Sequence, residues 1–323
     1  MKSILYDEIP SLNLSDFYTG DASQKQKFVA TLGAAFTNIG FVSIRNHFLE
    51  DDLQNRLYAA IQNYFTLADD VKKKYERTDL AGQRGYVSKG KEHAKGRNTG
   101  DLKEFYHIGQ ELSPNDLLKE GYPENIWPIE IPEFKPIAIE VYRALEMTGL
   151  YMLRAIALYL NLDEFYFDDK VKNGNSILRP IHYYPIEYPD SIPADAVRAA
   201  AHGDINLITL LMGATADGLQ VLRKDDTWIP ITALPDQLIV NVGDMLERLT
   251  HNKLKSTIHR VVNPPRKLMN TPRYSVPFFM HPRSEMNLSL PRLGVETENT
   301  KDWSDISAGE FLDQRLREIG LKK

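Results

Sequence analysis

The sequence predicts a mainly β protein, an antiparallel barrel or jelly roll with flanking helices and a helical N-terminal region. From Ser176 onward, short runs of β-branched and aromatic residues alternate with turn-forming residues at short intervals, which is typical of such barrels. Before that point, the apolar residues recur mostly at helical spacing. The sequence shows no internal repeat and no GxGxxG segment, which argues against a nucleotide-binding domain built from βαβ units.

The N-terminal part contains two strand-like runs and two helical ones. "IPSLNLSDF" (9–17) predicts a short strand followed by a turn, and residues 23–39 carry apolar side chains at helical spacing. "GFVSIRNH" (40–47) alternates as a strand does, and residues 50–77 again predict a helix.

Two longer segments follow. Residues 78–100 are rich in glycine, lysine and polar residues, and they predict a surface loop that is either a plain connection or a cover for a substrate. Residues 132–162 carry an apolar stripe over about seven helical turns and predict the longest helix of the chain, which ends near Asn161.

Composition excludes several kinds of site. The chain of 323 residues contains no cysteine, so disulfides, zinc-thiolate sites, iron-sulfur clusters and thiol nucleophiles are excluded, and any metal needs nitrogen or oxygen ligands. A net charge of -5, with 39 basic and 44 acidic residues, gives no indication of a nucleic-acid partner. No apolar run suits a signal peptide or approaches the roughly 18 residues of a membrane span, so we expect a cytoplasmic protein.

A candidate metal site begins in "AHGDINLITLL" (201–211). His202 and Asp204 share one face if this stretch is a strand, although a polar strand edge would look the same. His259, in the middle of the strand-like "STIHRVV", lies 55 residues after Asp204 and offers a third ligand. Two imidazoles and one carboxylate form the ligand set of non-haem Fe(II) oxygenases, which leaves coordination positions for substrates and O₂.

Arg273 and Ser275 suggest a second binding function near the candidate metal. They lie in "RYSVPFF", which starts 14 residues after His259, and they share one strand face. A buried arginine needs an anionic partner, and a guanidinium beside a hydroxyl suits a carboxylate. An internal ion pair with an aspartate or glutamate is the alternative.

These motifs together resemble the isopenicillin N synthase-like group of 2-oxoglutarate and Fe(II)-dependent dioxygenases. The resemblance covers nearly the whole chain, because "IPSLNLSDF", "GFVSIRNH" and "DLKEFYHIG" match the N-terminal half of that group. The C-terminal half carries its most specific motifs: "LRPIHYYP" (178–185), "HGD" (202–204), "DGLQVLRKDDTWIPI" (217–231), "LIVNVGDMLERLTHNKLKSTIHRVVNP" (238–264) and "RYSVPFFMHP" (273–282).

The resemblance implies a double-stranded β-helix, or jelly roll, with His202, Asp204 and His259 as ligands of Fe(II). Arg273 and Ser275 would bind the distal carboxylate of the co-substrate 2-oxoglutarate, and Tyr184 would add a hydrogen bond to it. The implied reaction couples oxidative decarboxylation of 2-oxoglutarate, with O₂, to oxidation of a small-molecule substrate, most often hydroxylation. The sequence departs from the group's pattern at His182 (often asparagine), Ile186 (often a second proline) and Ile258 (often glutamate).

Two alternatives keep the same fold. An enzyme of the isopenicillin N synthase type would use the same iron ligands without 2-oxoglutarate, and Arg273 and Ser275 would bind its substrate. A non-catalytic small-molecule sensor is the other alternative. Candidate residues of the substrate pocket are Asn206, Leu219, Phe278, Arg84 and Tyr106.

The predicted organisation has four segments. They are an N-terminal region of helices and strands (1–125), a long helix and connector (126–175), the Fe(II)/2-oxoglutarate double-stranded β-helix (176–282) and a C-terminal covering segment (283–323). We expect a small-molecule substrate, neither a nucleic-acid nor a membrane partner, and a monomer or weak homo-oligomer.

Overall fold

Helices surround a core of β-strands in the computed structural model, which describes residues 5–92, 100–112, 121–193, 195–232, 234, 236–289, 305–318 and 322. The described helices are α1 (Ser15–Tyr18), α2 (Ala22–Asn38), α3 (Asp51–Phe65), α4 (Asp69–Lys73), α5 (Phe134–Tyr159), α6 (Asp168–Val171), α7 (Asp244–Leu249) and α8 (Ala308–Glu318). The described strands are β1 (Ser11–Asn13), β2 (Phe41–Arg45), β3 (Gly85–Val87), β4 (Glu104–Gly109), β5 (Ile177–Leu178), β6 (Ile181–Tyr183), β7 (Ala199–His202), β8 (Ile208–Met212), β9 (Leu219–Leu222), β10 (Trp228–Pro230), β11 (Leu238–Val242), β12 (His259–Val261) and β13 (Arg273–Met280).

The strands form two sheets. The larger sheet has the order β1-β2-β11-β8-β13-β5-β4-β3, and β6 pairs with both β13 and β4. The smaller sheet has the order β10-β9-β12-β7. Pairing is antiparallel except between β1 and β2, and side chains of both sheets line a common cavity. This arrangement confirms the predicted jelly-roll core.

Strand β13 shows how the alternation of side chains divides the core. Ser275 and Phe279 face the cavity between the sheets, as does every second residue from Arg273. Phe278 points to the opposite face and packs edge-on against Tyr142 of α5, with ring centroids 4.9 Å apart. One face of β13 therefore belongs to the site and the other to the helix-covered core.

The helical layer agrees with the sequence in its main elements. Helix α5 confirms the long helix expected within 132–162, and α2 and α3 pack against it. Helix α2 begins with a capping box, in which Asp21 and Gln24 accept each other's backbone N–H groups. The helical character predicted for 50–77 is found in α3 and α4, and the backbone leaves the helical conformation at Ala68, which separates the two helices.

The segment 78–100 is more structured than a loop. It contains a 3₁₀ turn at Thr78–Leu80 and strand β3, which pairs with β4 at the edge of the larger sheet. Three residues are too few for β3 to show a clear alternation, so no strand pattern is visible there in the sequence. Residues 93–99 of the predicted loop lie outside the described part of the chain.

One hydrophobic core cluster extends from Leu12 to Phe311 and so includes residues of all four predicted segments. The boundaries at residues 125, 175 and 282 remain predictions. Among the described helices, none combines the length and the apolar character that crossing a bilayer requires.

Candidate metal centre and adjoining cavities

His202, Asp204 and His259 meet where β7 ends and β12 begins in the smaller sheet. Each offers one donor atom, and the three donor atoms lie within 4.8 Å of one another. His202 ends β7 and His259 begins β12, and antiparallel pairing places the two residues directly opposite each other. Asp204 follows β7 in a connection, and its Oδ1 lies 3.9 Å from Nε2 of His202 and 3.6 Å from Nε2 of His259.

Both histidines present Nε2 to the centre of this cluster. Nδ1 of His202 lies 2.6 Å from the carbonyl oxygen of Ala200, and Nδ1 of His259 lies 3.1 Å from that of Thr257. A carbonyl oxygen only accepts, so each Nδ1 carries the proton and each Nε2 lone pair is free for a metal. Burial and the neighbouring His259 lower the pKa of His202 to about 4, which keeps the imidazole neutral as a ligand must be.

The Asp204 carboxylate is held in place by the larger sheet. Its Oδ2 accepts hydrogen bonds from Oγ1 of Thr209 (2.6 Å) and Nδ2 of Asn241 (2.8 Å), two residues paired across β8 and β11. Burial alone would raise the pKa of Asp204, but the two histidines and these hydrogen bonds lower it, so the carboxylate is ionised. Two imidazoles and one carboxylate with fixed orientations fit a divalent iron ion.

A smaller cavity of about 70 Å³ extends from this cluster between the two sheets. Arg273 and Ser275 line it together with Tyr183 and Leu219. Arg273 is only 2% exposed; its Nε donates to the carbonyl oxygen of Ala216 at 2.9 Å, whereas no described residue is a hydrogen-bond partner of its Nη1. A buried guanidinium with a free nitrogen is suited to an anionic ligand.

Tyr183, and not Tyr184, faces Arg273. The register between β6 and β13 pairs Tyr183 with Arg273, and the guanidinium carbon lies 4.8 Å from the tyrosine ring centroid. Tyr184 lies outside the cavity, in a small apolar cluster, with the ammonium group of Lys89 5.2 Å from its ring. The expected placement of Tyr184 beside the co-substrate is therefore corrected to Tyr183. Neighbouring residues of a strand point to opposite faces of the sheet, and it is Tyr183 that points toward Arg273.

His182 also points away from the smaller cavity. Its ring stacks on Tyr274 at 4.8 Å, and its Nδ1 lies 2.8 Å from Oε1 of the buried Glu104. The departure from asparagine at this position therefore changes the packing behind the sheet and leaves the lining of the cavity unaltered.

A larger cavity of about 330 Å³ adjoins the other side of the histidine–aspartate cluster. One polar wall comprises Glu92, Asp101, Lys103, His107, Asn175, Arg179 and His281, and further polar side chains of the lining are Gln83, Asp244, Arg315 and Glu318. The apolar side chains that line it are Ile177, Ile205, Ile258, Phe279, Leu312 and Leu316. Leu312 and Leu316 belong to α8, so the C-terminal helix contributes one side of this cavity.

The stretch "AHGDINLITLL" is not one continuous strand. Strand β7 of the smaller sheet ends at His202, and β8 of the larger sheet begins at Ile208. Asn206 lies in the connection between them, where its Nδ2 donates to the carbonyl oxygen of Ile208 at 2.7 Å and to Oγ1 of Thr209 at 3.1 Å. Asn206, a candidate residue of the substrate pocket, therefore does not share a strand face with Asp204, because period-two geometry ends with β7.

Of the other predicted pocket residues, Leu219 lines the smaller cavity, whereas three belong to the packed interior. Phe278 faces α5, as described above. Arg84 donates to the carbonyl oxygen of Gln83 and to Oε1 of Gln110, at 2.8 and 2.9 Å. Tyr106 donates to the carbonyl oxygen of Ile126 at 2.7 Å.

Reasoning from the sequence did not identify Glu92, Asn175, Arg179 or His281 of the polar wall, whereas Asp101, Lys103 and His107 lie in the motif "DLKEFYHIG" (101–109), which it did identify. Phe279 takes the place expected for Phe278, one position along β13. Lys103 and His107 lie at alternate positions of "LKEFYHIG", and Arg179 precedes Ile181 and Tyr183 at the same spacing. Residues at that spacing share one face of a strand, so the spacing could have indicated which side chains lie together. Only the pairing of β4, β5 and β13 shows that the faces carrying these residues are adjacent.

Comparisons with known proteins agree with this geometry. A family model described as "2OG-Fe(II) oxygenase superfamily" matches residues 175–282, and one described as "non-haem dioxygenase in morphine synthesis N-terminal" matches residues 9–130. A 2-oxoglutarate-Fe(II) type oxidoreductase of Emericella nidulans is 31% identical over 84% of this chain and 78% of its own length. A proline hydroxylase of Petromyces alliaceus is 31% identical over 96% of this chain and 98% of its own.

Solved structures extend the similarity to the whole fold. A 2OG-Fe(II) oxygenase family protein of Caulobacter crescentus has a TM-score of 0.84 and 42% identity, covering 96% of this chain and 99% of its own. A Neurospora crassa protein in complex with alpha-ketoglutarate (2-oxoglutarate) and thymine has a TM-score of 0.84 and 29% identity, with 96% of each chain covered. The chain thus belongs to the 2OG-Fe(II) oxygenase superfamily, and it is an oxidoreductase that uses Fe(II), 2-oxoglutarate and O₂.

Proposed function

We propose that His202, Asp204 and His259 hold the Fe(II) ion of this dioxygenase, and that Arg273 and Ser275 hold 2-oxoglutarate. The larger cavity then binds a small organic substrate, which the enzyme oxidises by hydroxylation. The observation that carries this proposal is the position of the three donor atoms, within 4.8 Å of one another at the junction of the two cavities.

The protein prepares the metal site through its hydrogen bonds. Bound Fe(II) would supply O₂ activation coupled to oxidative decarboxylation of 2-oxoglutarate. Ala200 and Thr257 orient the two imidazoles through their carbonyl oxygens, and Thr209 with Asn241 fixes Asp204. These contacts set the ligand directions before any metal binds, which lowers the reorganisation that binding requires.

The smaller cavity suits the extended dicarboxylate 2-oxoglutarate. Arg273 lies at the end of the cavity with a free Nη1, and Ser275 offers a hydroxyl on the same strand face. Tyr183, which lies against the guanidinium, replaces Tyr184 in our assignment of the additional hydrogen bond. The keto acid end of the co-substrate would then point toward the histidine–aspartate cluster.

The larger cavity suits a substrate of modest size with both polar and apolar surface. The Neurospora protein binds thymine, and the Petromyces relative is a proline hydroxylase, so small ring compounds are the ligands or substrates of two similar proteins. Leu219 remains a candidate contact at the inner end of the site, since it lines the smaller cavity.

We further propose that the enzyme works in the cytoplasm as a monomer or weak homo-oligomer, on a free small molecule rather than on nucleic acid or at a membrane. The net charge of -5 supports the part of this proposal that concerns nucleic acid, because it repels polyanions.

The proposed activity is tested by incubating the Fe(II)-loaded protein with 2-oxoglutarate, ¹⁸O₂ and a cell extract. Mass spectrometry should show succinate carrying one ¹⁸O atom and at least one extract compound heavier by one ¹⁸O atom. A compound that loses two hydrogens instead would indicate desaturation or ring closure. If neither succinate formation nor O₂ consumption occurs with any extract, the proposal is wrong.

A further inference from the structure

A chain of charged and polar side chains runs along the polar wall of the larger cavity. Lys103 binds Oδ2 of Asp101 at 2.9 Å and Oε1 of Glu92 at 2.7 Å. The same Glu92 oxygen accepts from Nη1 of Arg179 at 3.3 Å, and Nε of Arg179 donates to Nε2 of His107 at 2.5 Å. We call these five residues the charge chain.

Most hydrogen-bonding groups of the charge chain are already engaged. The second carboxylate oxygen of Asp101 accepts the backbone N–H of Ala200 at 3.1 Å, and Nδ1 of His107 lies 2.5 Å from the carbonyl oxygen of Gly82. Oε2 of Glu92, by contrast, is buried without a hydrogen-bond partner among the residues that the structure describes. Nε and Nη1 of Arg179 are engaged as described, and Nη2 has no partner within the described part of the chain, which leaves it for a ligand.

Arg179 is held in one orientation. Its guanidinium carbon lies 4.5 Å from the ring centroid of Phe105 and 4.8 Å from that of Phe279, so the group is packed between two aromatic rings. His107 accepts from Nε because burial and the charge of Arg179 keep its pKa well below the ordinary value. The direction of the free N–H groups is therefore fixed before a ligand arrives.

Glu92 remains an acceptor. Burial alone would raise its pKa, but the adjacent charges of Arg179 and Lys103 hold it below the ordinary value. The side chain is only 9% exposed and cannot turn to water for a partner. An unpaired buried carboxylate oxygen is unfavourable, so a donor from a bound molecule would be strongly preferred there.

The charges of the chain balance, since two cations face two carboxylates. A ligand that is a simple anion would meet Arg179 but would also meet the free oxygen of Glu92. A molecule without net charge that carries a hydrogen-bond donor beside an acceptor can bind Glu92 and Arg179 at the same time. The apolar lining from Ile177, Leu312 and Leu316 would cover the remainder of such a molecule.

We propose that Glu92 and Arg179 form a specificity clamp for the primary substrate, which carries an N–H donor next to a carbonyl or carboxylate acceptor and has no net charge. This inference rests on the proposed function, since it assigns the larger cavity to the substrate. Arg179 Nη2 donates to the acceptor, and Oε2 of Glu92 accepts from the N–H group. Cyclic amides and cyclic amino acids share this chemistry.

The clamp is tested with two matched pairs of probes. 2-Piperidone is compared with N-methyl-2-piperidone, and piperidine-2-carboxylate with its N,N-dimethyl betaine, so that both members of each pair have no net charge and only one carries the N–H donor. Dissociation constants are measured by ligand-observed NMR on protein loaded with Zn(II) and 2-oxoglutarate under nitrogen. In at least one pair, the compound with the donor should bind about tenfold more tightly, as expected for one hydrogen bond to a charged group. The pair that shows the preference identifies the amide or the amino acid as the source.

The variants assign the preference to the clamp. In Glu92→Gln an amide N–H₂ takes the place of the free oxygen, so the preference should fall to within about twofold. Asn175→Ala is the matched control, because Asn175 lines the same cavity and also has a buried oxygen for which the described chain offers no partner. This control should keep the preference. Arg179→Lys, which retains the charge, should weaken binding of both compounds in the pair. This variant tests the clamp if Glu92→Gln does not fold.

Three results would overturn the clamp: equal binding within both pairs, a preference that survives in Glu92→Gln, or a preference lost only in Asn175→Ala. Binding of Zn(II) and of 2-oxoglutarate is measured in the same samples. Failure of those two steps in the unmodified protein would count against the proposed function, whereas intact binding without a probe preference counts against the clamp alone.

Discussion

Nδ2 of Asn241 donates a hydrogen bond of 2.8 Å to Oδ2 of Asp204, the carboxylate oxygen that faces away from the two histidines. Thr209 donates to the same oxygen at 2.6 Å. The carboxylate is thereby fixed with Oδ1 toward the metal position.

We predict that Asn241→Ala lowers affinity for divalent metal by about 10-fold to 100-fold, the range typical when a group that orients a ligand is lost. Titration with Mn(II) against a competing chelator measures this effect. Asn55→Ala, an exposed asparagine on α3, is the control and should leave the affinity unchanged. Equal metal affinity of Asn241→Ala and the unmodified protein would show that the hydrogen bond does not support the metal site.

Arg273→Lys should raise the dissociation constant of 2-oxoglutarate by about 10-fold to 100-fold, because lysine keeps the charge but not the forked geometry. Ser275→Ala should have a smaller effect of about threefold to tenfold, corresponding to one hydrogen bond. Both values follow from anaerobic titration of the Fe(II)-loaded protein. Metal affinity measured in parallel should not change, and an unaltered co-substrate affinity in Arg273→Lys would refute the assignment.

The two adjacent tyrosines allow a direct comparison. Tyr183→Phe should weaken 2-oxoglutarate binding by about threefold to tenfold, since it removes a hydroxyl from the cavity next to Arg273. Tyr184→Phe should leave binding unchanged, because Tyr184 lies in a separate apolar cluster. The opposite ranking of the two variants would restore the assignment that the sequence suggested.

His281 makes the stability of the metal-free protein depend on pH. Burial lowers its pKa to about 4, whereas the unfolded chain should have an ordinary value of about 6.5. The unfolded state binds the extra proton between these values, so stability is fully present above pH 6.5 and falls as pH drops toward 4. The contribution is on the order of 3 kcal/mol at the acid end.

Urea unfolding with a chelator present measures this dependence. In His281→Gln the free energy of unfolding should vary less between pH 6.5 and 4.5 than in the unmodified protein. Other buried histidines, such as His107, contribute in the same direction, so only the difference between the two proteins reports on His281. Identical pH slopes would mean that His281 is not held neutral.

The fold and the three residues of the candidate metal site were predictable because they depend on local patterns. Alternation and turn residues after Ser176 indicated the barrel, and His202, Asp204 and His259 form a ligand set that few other arrangements use. Arg273 and Ser275 share a face in any extended conformation, so their common location followed as well.

The remaining site residues were not predictable because their placement depends on strand phase and on distant packing. Phe278 and Tyr184 were each one position away from the residue that lines a cavity. Because side chains alternate along a strand, an error of one position places the side chain on the opposite face. Asn206 does not share a strand face with Asp204 because β7 ends at His202. The charge chain joins residues far apart in sequence, such as Glu92 and Arg179, and no local pattern brings them together.

The most direct test of the central claim is the rate of Fe(II)-dependent succinate formation from 2-oxoglutarate in Asp204→Ala, compared with the unmodified protein and with Asp52→Ala. Asp52 is an exposed carboxylate on α3 and serves as the matched control. We predict that the rate is lower by more than about 100-fold in Asp204→Ala, since one of three metal ligands is removed. Asp52→Ala should have the rate of the unmodified protein. Succinate formation by Asp204→Ala at the rate of the unmodified protein would contradict the assignment of the metal centre.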